Sequence, residues 1–152
     1  MSSKLALLIK VQKEREEQLQ ANFVRAQQMY QQAEQKYQGL AQYRTDYIQQ
    51  SQQQGSIGLG GRQYNQFLAF ISKLDEALSQ QARVVQQSRN AAEQRKQSWL
   101  KMQTKRKALE KLLQLAAERE QLTQERQQQK LADDYALQRF MQQRRQRVKP
   151  TA

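Results

Sequence analysis

Two groups of residues in this chain have side chains or spacing that could do chemistry. Carboxylates stand close together at Glu14, Glu16 and Glu17 and again at Asp133 and Asp134, residue types that serve general acid/base catalysis. Four of the five glycines, Gly55, Gly58, Gly60 and Gly61, fall within the stretch QQQGSIGLGGRQY, and clustered glycines are what a phosphate-cradling loop requires. Each reading makes a demand on its surroundings. Carboxylates exchange protons near neutral pH when a cleft desolvates them or a neighbour shifts their pKa. A phosphate loop follows a strand and ends Gly-Lys-Ser/Thr, whereas Gly61 is followed here by Arg62 and Gln63. The chain has no cysteine and no histidine, which excludes disulfides, thiolate and imidazole metal sites, thiol nucleophiles and Ser/His/Asp arrangements. The sequence therefore predicts a non-enzymatic protein with no catalytic residues, no cofactor and no metal.

The elements that would have to position such residues point the same way. Hydrophobic residues make up 38% of the 152, glutamine alone fills 34 positions, and mean hydropathy is -1.04. That is too polar for an ordinary globular core. The single proline is Pro150, so almost nothing outside the glycine stretch interrupts a helix. Stepping alternately four and three residues from Leu5 meets Ile9, Gln12, Glu16, Leu19, Phe23, Ala26, Tyr30, Ala33, Tyr37, Leu40, Arg44 and Tyr47, of which most are apolar or aromatic. The same spacing resumes at Tyr64 and runs through Phe67, Ile71, Leu74, Leu78, Gln81, Val85, Ser88, Ala92, Arg95, Trp99, Met102, Arg106, Leu109 and Leu113 to Ala116. The intervening positions are mostly Gln, Lys, Arg and Glu, the pattern of a coiled-coil seam. Beyond Ala116 the next seven steps land on Glu120, Thr123, Gln127, Lys130, Asp134, Leu137 and Met141, and the seam ends near residue 116, leaving Leu122, Leu131, Tyr135, Leu137, Phe140 and Met141 scattered along the overhang.

The predicted fold is all-α: a single antiparallel coiled-coil hairpin over residues 1–152, with helix 1 at about 4–52, a loop at 53–62, helix 2 at about 63–146 and a tail at 147–152. At about 1.5 Å per residue the first helix needs a partner roughly 75 Å long, which the second supplies if the chain reverses at the glycines. Glycine accepts positive φ without a Cβ clash, so the cluster reads as a hinge and not as a nucleotide site. Residues whose numbers sum to about 116 to 122 then lie opposite one another, Phe23 and Trp99 among them. Helix 2 outlasts its partner, and its overhang is expected to fray when free and to order against a partner, since a helix polar nearly all round is marginal in water. Lacking a cleft, the carboxylates read as solvated surface.

Charge is unevenly placed. Of the +12 net charge, residues 1–61 carry seven basic and five acidic side chains, while residues 62–152 carry nineteen and nine. Arg139, Arg144, Arg145, Arg147 and Lys149 cluster without an acid among them, which favours a polyanionic or acidic partner; a solvated charged face is the other reading. Near the glycine loop, Tyr43, Phe70 and Ala77 lie beside the seam and widen the apolar surface of Leu40, Tyr47, Phe67 and Leu74. This distal patch is either a docking surface or a third row of packing that thickens the hairpin.

The ordered set of Ala33-Glu34, Leu40, Tyr43, Tyr47, the glycine loop, FISKLDEAL (Phe70 to Leu78), SWLKMQTKRKALEKL (Ser98 to Leu112), AEREQL (Ala117 to Leu122) and ADDYALQRF (Ala132 to Phe140) resembles the flagellar FliJ family of type III export proteins. The resemblance implies a stalk or adaptor, similar to the central stalk of rotary ATPases, that engages the hexameric export ATPase ring, contacts the cytoplasmic domain of the export gate and handles export chaperones. It implies a cytoplasmic location at the inner face of the cell membrane near the flagellar base, with peripheral membrane association through the export apparatus. The family's gate-contact surface maps onto Leu40, Tyr43, Tyr47, Phe70, Leu74 and Ala77, with two further positions at Lys36 and Gln81, where this chain departs from the family's residues. The ATPase ring is expected to hold the end carrying both termini, through Arg139, Arg144, Arg145 and Arg147.

The alternative is a nucleic-acid-binding or scaffolding basic coiled coil, supported by +12 through phosphate neutralisation. Against it, the basic clusters are not interleaved with exposed aromatics for base stacking, and no specific nucleic acid is expected. A peripheral membrane helix fits less well, because the tail is rich in glutamine and poorly amphipathic. The start MSSKLALLIK has one lysine, a short apolar run and no small-residue cleavage site after it, so neither a signal peptide nor a membrane span is predicted.

Overall fold

The computed structural model describes residues 2–55 and 60–148. They form two helices, α1 (Ser2–Gly55) and α2 (Gly61–Val148), which pack against each other, with no strand among the described residues. Both are built from Gln, Ala, Leu, Lys, Arg and Glu, which lose little side-chain freedom in a helix. Every seam position of α1 from Leu5 to Tyr47 is buried or half-buried. On α2 the same holds from Phe67 to Leu113 except at Arg95, while Tyr64 and Ala116 at the ends of the seam are exposed.

The chain divides into two units, residues 12–104 and residues 1–11 with 105–152. In the first, the helices are antiparallel. Phe23 stacks on Trp99 with ring centroids 5.8 Å apart, and Tyr47 stacks on Phe67 at 5.6 Å. Ala33, Leu74, Ala92 and Gln81 are its buried residues. A seam between two helices can enclose little more than this: no described side chain is fully buried, and stability is spread thinly along the whole interface.

Two polar seam residues, Gln81 and Arg44, have hydrogen-bond partners on the opposite helix. Gln81 is 8% exposed, and its Nε2 donates to the Ala33 carbonyl oxygen at 2.9 Å. Arg44 donates from Nε to Asp75 Oδ1 at 2.6 Å, which holds its charge at the seam margin. A lone polar residue in a seam fixes register at some loss of stability. Gln81→Leu is therefore expected to raise the thermal midpoint while broadening the distance distribution between spin labels on Val24 and Ser98. An unchanged distribution would show that Gln81 does not set the register.

The glycines behave differently from expectation where they are described. Neither Gly60 nor Gly61 occupies the left-handed region. Gly60 precedes α2, and its carbonyl accepts the Tyr64 N–H at 3.1 Å, closing the first turn. Gly58 lies outside the described residues.

In the second unit Ile9 is buried and Leu5, Leu109 and Leu113 are half-buried, while every described residue after Leu113 is exposed. The helix continues to Val148. Amide-to-carboxylate hydrogen bonds one turn apart recur along this stretch, from Gln114 to Glu118 (3.4 Å), Gln121 to Glu125 (3.4 Å) and Gln129 to Asp133 (3.1 Å). Such pairs stabilise an isolated helix by about 0.2–0.5 kcal/mol each, which adds to the strong helix propensity of the sequence between them.

Candidate functional site

The carboxylates singled out for acid/base chemistry lie on helix surfaces. Glu14, Glu17, Asp133 and Asp134 are exposed, and Glu16 is half-buried at the seam. No cluster of three or more metal-ligating side chains occurs among the described residues. No described helix is long and apolar enough to cross a membrane. The surfaces with distinctive chemistry are instead an aromatic cluster in the first unit and a basic helical face in the second.

The aromatic cluster is made by one stretch of each helix. On α1, Leu40, Tyr43 and Tyr47 recur at three and four residues, so they share a face. On α2, Phe67, Phe70, Leu74 and Ala77 do the same. Antiparallel packing brings the two sets together: Phe70 lies 4.5 Å from Tyr47 between ring centroids and meets Tyr43 edge-on at 6.2 Å. The six predicted gate-contact residues do not contribute equally. Leu74 is 8% exposed and belongs to the core, Leu40, Tyr47, Phe70 and Ala77 are half-buried, and Tyr43 is 53% exposed. The accessible part of the cluster is therefore Tyr43 with the edges of Phe70 and Ala77, Phe70 being backed by Tyr47. Lys36 is exposed, whereas Gln81 is turned into the seam and is not available at the surface.

In the second unit Arg139, Arg144, Arg145 and Arg147 are all exposed near the end of α2. Among them runs an apolar line that carries the spacing of Leu137 and Met141 on to Val148. Leu137, Met141, Arg144 and Val148 follow steps of four, three and four, so the pattern resumes after its interruption. Leu137, Phe140, Met141 and Val148 are 56%, 58%, 55% and 72% exposed, which makes this a seam-like face without a partner among the described residues. Arg144 and Arg145 border a shallow groove over these apolar side chains. The combination suits a surface that is apolar at its centre and acidic at its margin.

One family model matches the chain, over residues 1–145, and it describes the flagellar FliJ protein. No curated protein and no solved structure matches.

Proposed function

The chain belongs to the flagellar FliJ family, whose members are components of flagellar protein export, and from that membership we propose that it is a non-enzymatic adaptor between the export ATPase and the export gate. The aromatic cluster of Tyr43, Phe70 and Ala77 meets the cytoplasmic domain of the gate protein. The basic face of Arg139, Arg144, Arg145 and Arg147 engages the hexameric ATPase ring. The protein works in the cytoplasm at the inner face of the membrane near the flagellar base, held there by its partners, and assists delivery of chaperone-bound substrates. Its contribution is mechanical and allosteric, and no chemistry is needed from its own side chains.

The observation that carries this reading is the aromatic cluster. Tyr43 presents a large amphipathic ring to solvent and meets edge-on the ring of Phe70, which is itself packed against Tyr47. Rigid aromatic anchors of this kind dominate the energetics of protein interfaces. The test is a reconstitution with purified ATPase and the gate's cytoplasmic domain. The full chain is expected to bind each, and to form a complex containing all three. Binding of the two partners that is mutually exclusive would overturn the adaptor role.

A further inference from the structure

A second surface in the first unit is left over after the aromatic cluster has been accounted for. Ala26 and Met29 on α1 and Ser88 and Ala91 on α2 line a groove along the helix pair, with Arg25 and Arg95 also on its lining. Met29 is 65% exposed, and Arg95, placed at the seam by its spacing, is turned out to solvent. We propose that this groove docks an acidic amphipathic helix of another protein, making a local three-helix bundle.

The shape fits a helix. Ala26, Ser88 and Ala91 are small, so a third helix can approach to the usual interaxial distance of about 8–10 Å without displacing side chains. Met29 is unbranched and adaptable, suited to packing on an incoming apolar face. The groove also has direction. On α2 the positions at intervals of seven are Phe70, Ala77, Val84 and Ala91, and on α1 they are Asn22, Met29, Lys36 and Tyr43. Intervals of seven keep residues on one line of a helix. Val84 is 44% exposed, so the apolar line continues from the aromatic cluster to the groove.

Charge selects the occupant. Neither of these lines contains an acidic residue, whereas the corresponding lines on the other side of the seam carry Glu34 and Asp75. Arg25 donates to Asn22 Oδ1 at 3.1 Å and faces no carboxylate in the groove lining, and none of the lining residues is acidic. A second copy of the chain would bring +12 against +12, and the chain's own terminal arginines have the same sign, so neither is a fitting occupant. A nucleic acid would find aliphatic side chains in place of stacking rings. A helix with Leu or Ala on one face and Glu or Asp beside it satisfies both the floor and the arginines.

The probe is a three-heptad peptide with Leu and Ala on one helical face and Glu flanking it, compared with a scrambled peptide of the same composition. Affinity for the full chain is read by fluorescence anisotropy at physiological ionic strength. The amphipathic peptide is expected to bind at least about tenfold tighter than the scrambled one, and Met29→Glu or the pair Arg25→Glu and Arg95→Glu to weaken it by about tenfold or more. Both sets of substitutions are on exposed positions, so circular dichroism should be unchanged. Equal binding of the scrambled peptide would reduce the effect to net charge and overturn the proposal. So would loss on Tyr43→Ala with no loss in the groove variants, which would move the site to the aromatic cluster. Self-association abolished by Met29→Glu would assign the groove to a second copy, and tighter binding of a single-stranded RNA of matched charge, lost in the same variants, would assign it to nucleic acid; either result sinks the acidic helix.

Discussion

Tyr43→Ala is expected to leave the thermal midpoint of the chain nearly unchanged while weakening its binding to the export gate's cytoplasmic domain by about 1–3 kcal/mol, the loss typical of an aromatic anchor. The separation of the two effects follows from geometry. Tyr43 is 53% exposed, and its one aromatic ring contact among the described residues is the edge-on pairing with Phe70. Leu19, half-buried at the seam, provides the contrast, since Leu19→Ala removes packing and should destabilise by about 2 kcal/mol or more. Phe70 is a less clean probe than its position beside the seam suggests, because its ring lies 4.5 Å from Tyr47 and contributes to both packing and surface. Phe70→Ala should therefore lose stability and binding together. Isothermal titration beside thermal denaturation separates the cases. If Tyr43→Ala unfolds the chain as readily as Leu19→Ala does while gate binding per folded molecule is preserved, the cluster is a third row of packing and not a docking surface.

The seam could be read from the sequence because apolar spacing of four and three has one physical meaning in a helix: those residues share a face that water does not favour. Spacing alone places Leu5 to Tyr47 and Tyr64 to Ala116 on such faces without any knowledge of the partner, although Tyr64 and Ala116 at the ends of the second run are exposed. It does not say which way a polar residue on the same spacing will turn. Gln81 and Arg95 occupy equivalent seam positions, yet Gln81 is buried and Arg95 exposed. The difference lies on the other helix, where Ala33 leaves room and a carbonyl oxygen for the Gln81 amide, while Arg95 shares its groove with another arginine, Arg25. Leu74 and Tyr43 make the same point within the aromatic cluster. Membership of an apolar stripe is a property of one helix, but whether a stripe residue becomes floor or surface is decided by the pair.

The largest effect on function is expected at the end of α2. Removing residues after about 138 should leave the paired region folded, because every described residue beyond Leu113 is exposed. The same truncation should weaken engagement of the ATPase ring and its stimulation. Replacing Arg144, Arg145 and Arg147 with Glu should do at least as much harm as deletion, since reversed charge repels an acidic surface where absence only forfeits attraction. The line of Leu137, Phe140, Met141 and Val148 allows the two components to be told apart. Charge attraction between exposed groups is screened over a Debye length of about 8 Å at physiological ionic strength, so added salt should narrow the gap between the native and charge-reversed chains. Burial of apolar side chains is not screened, so Phe140→Ala should lose stimulation at low and high salt alike. Titrating ATPase stimulation by the four proteins at two salt concentrations reads both components in one experiment. Equal stimulation by all four would mean that the terminal helix is a solvated surface and that the ring is held by another part of the chain.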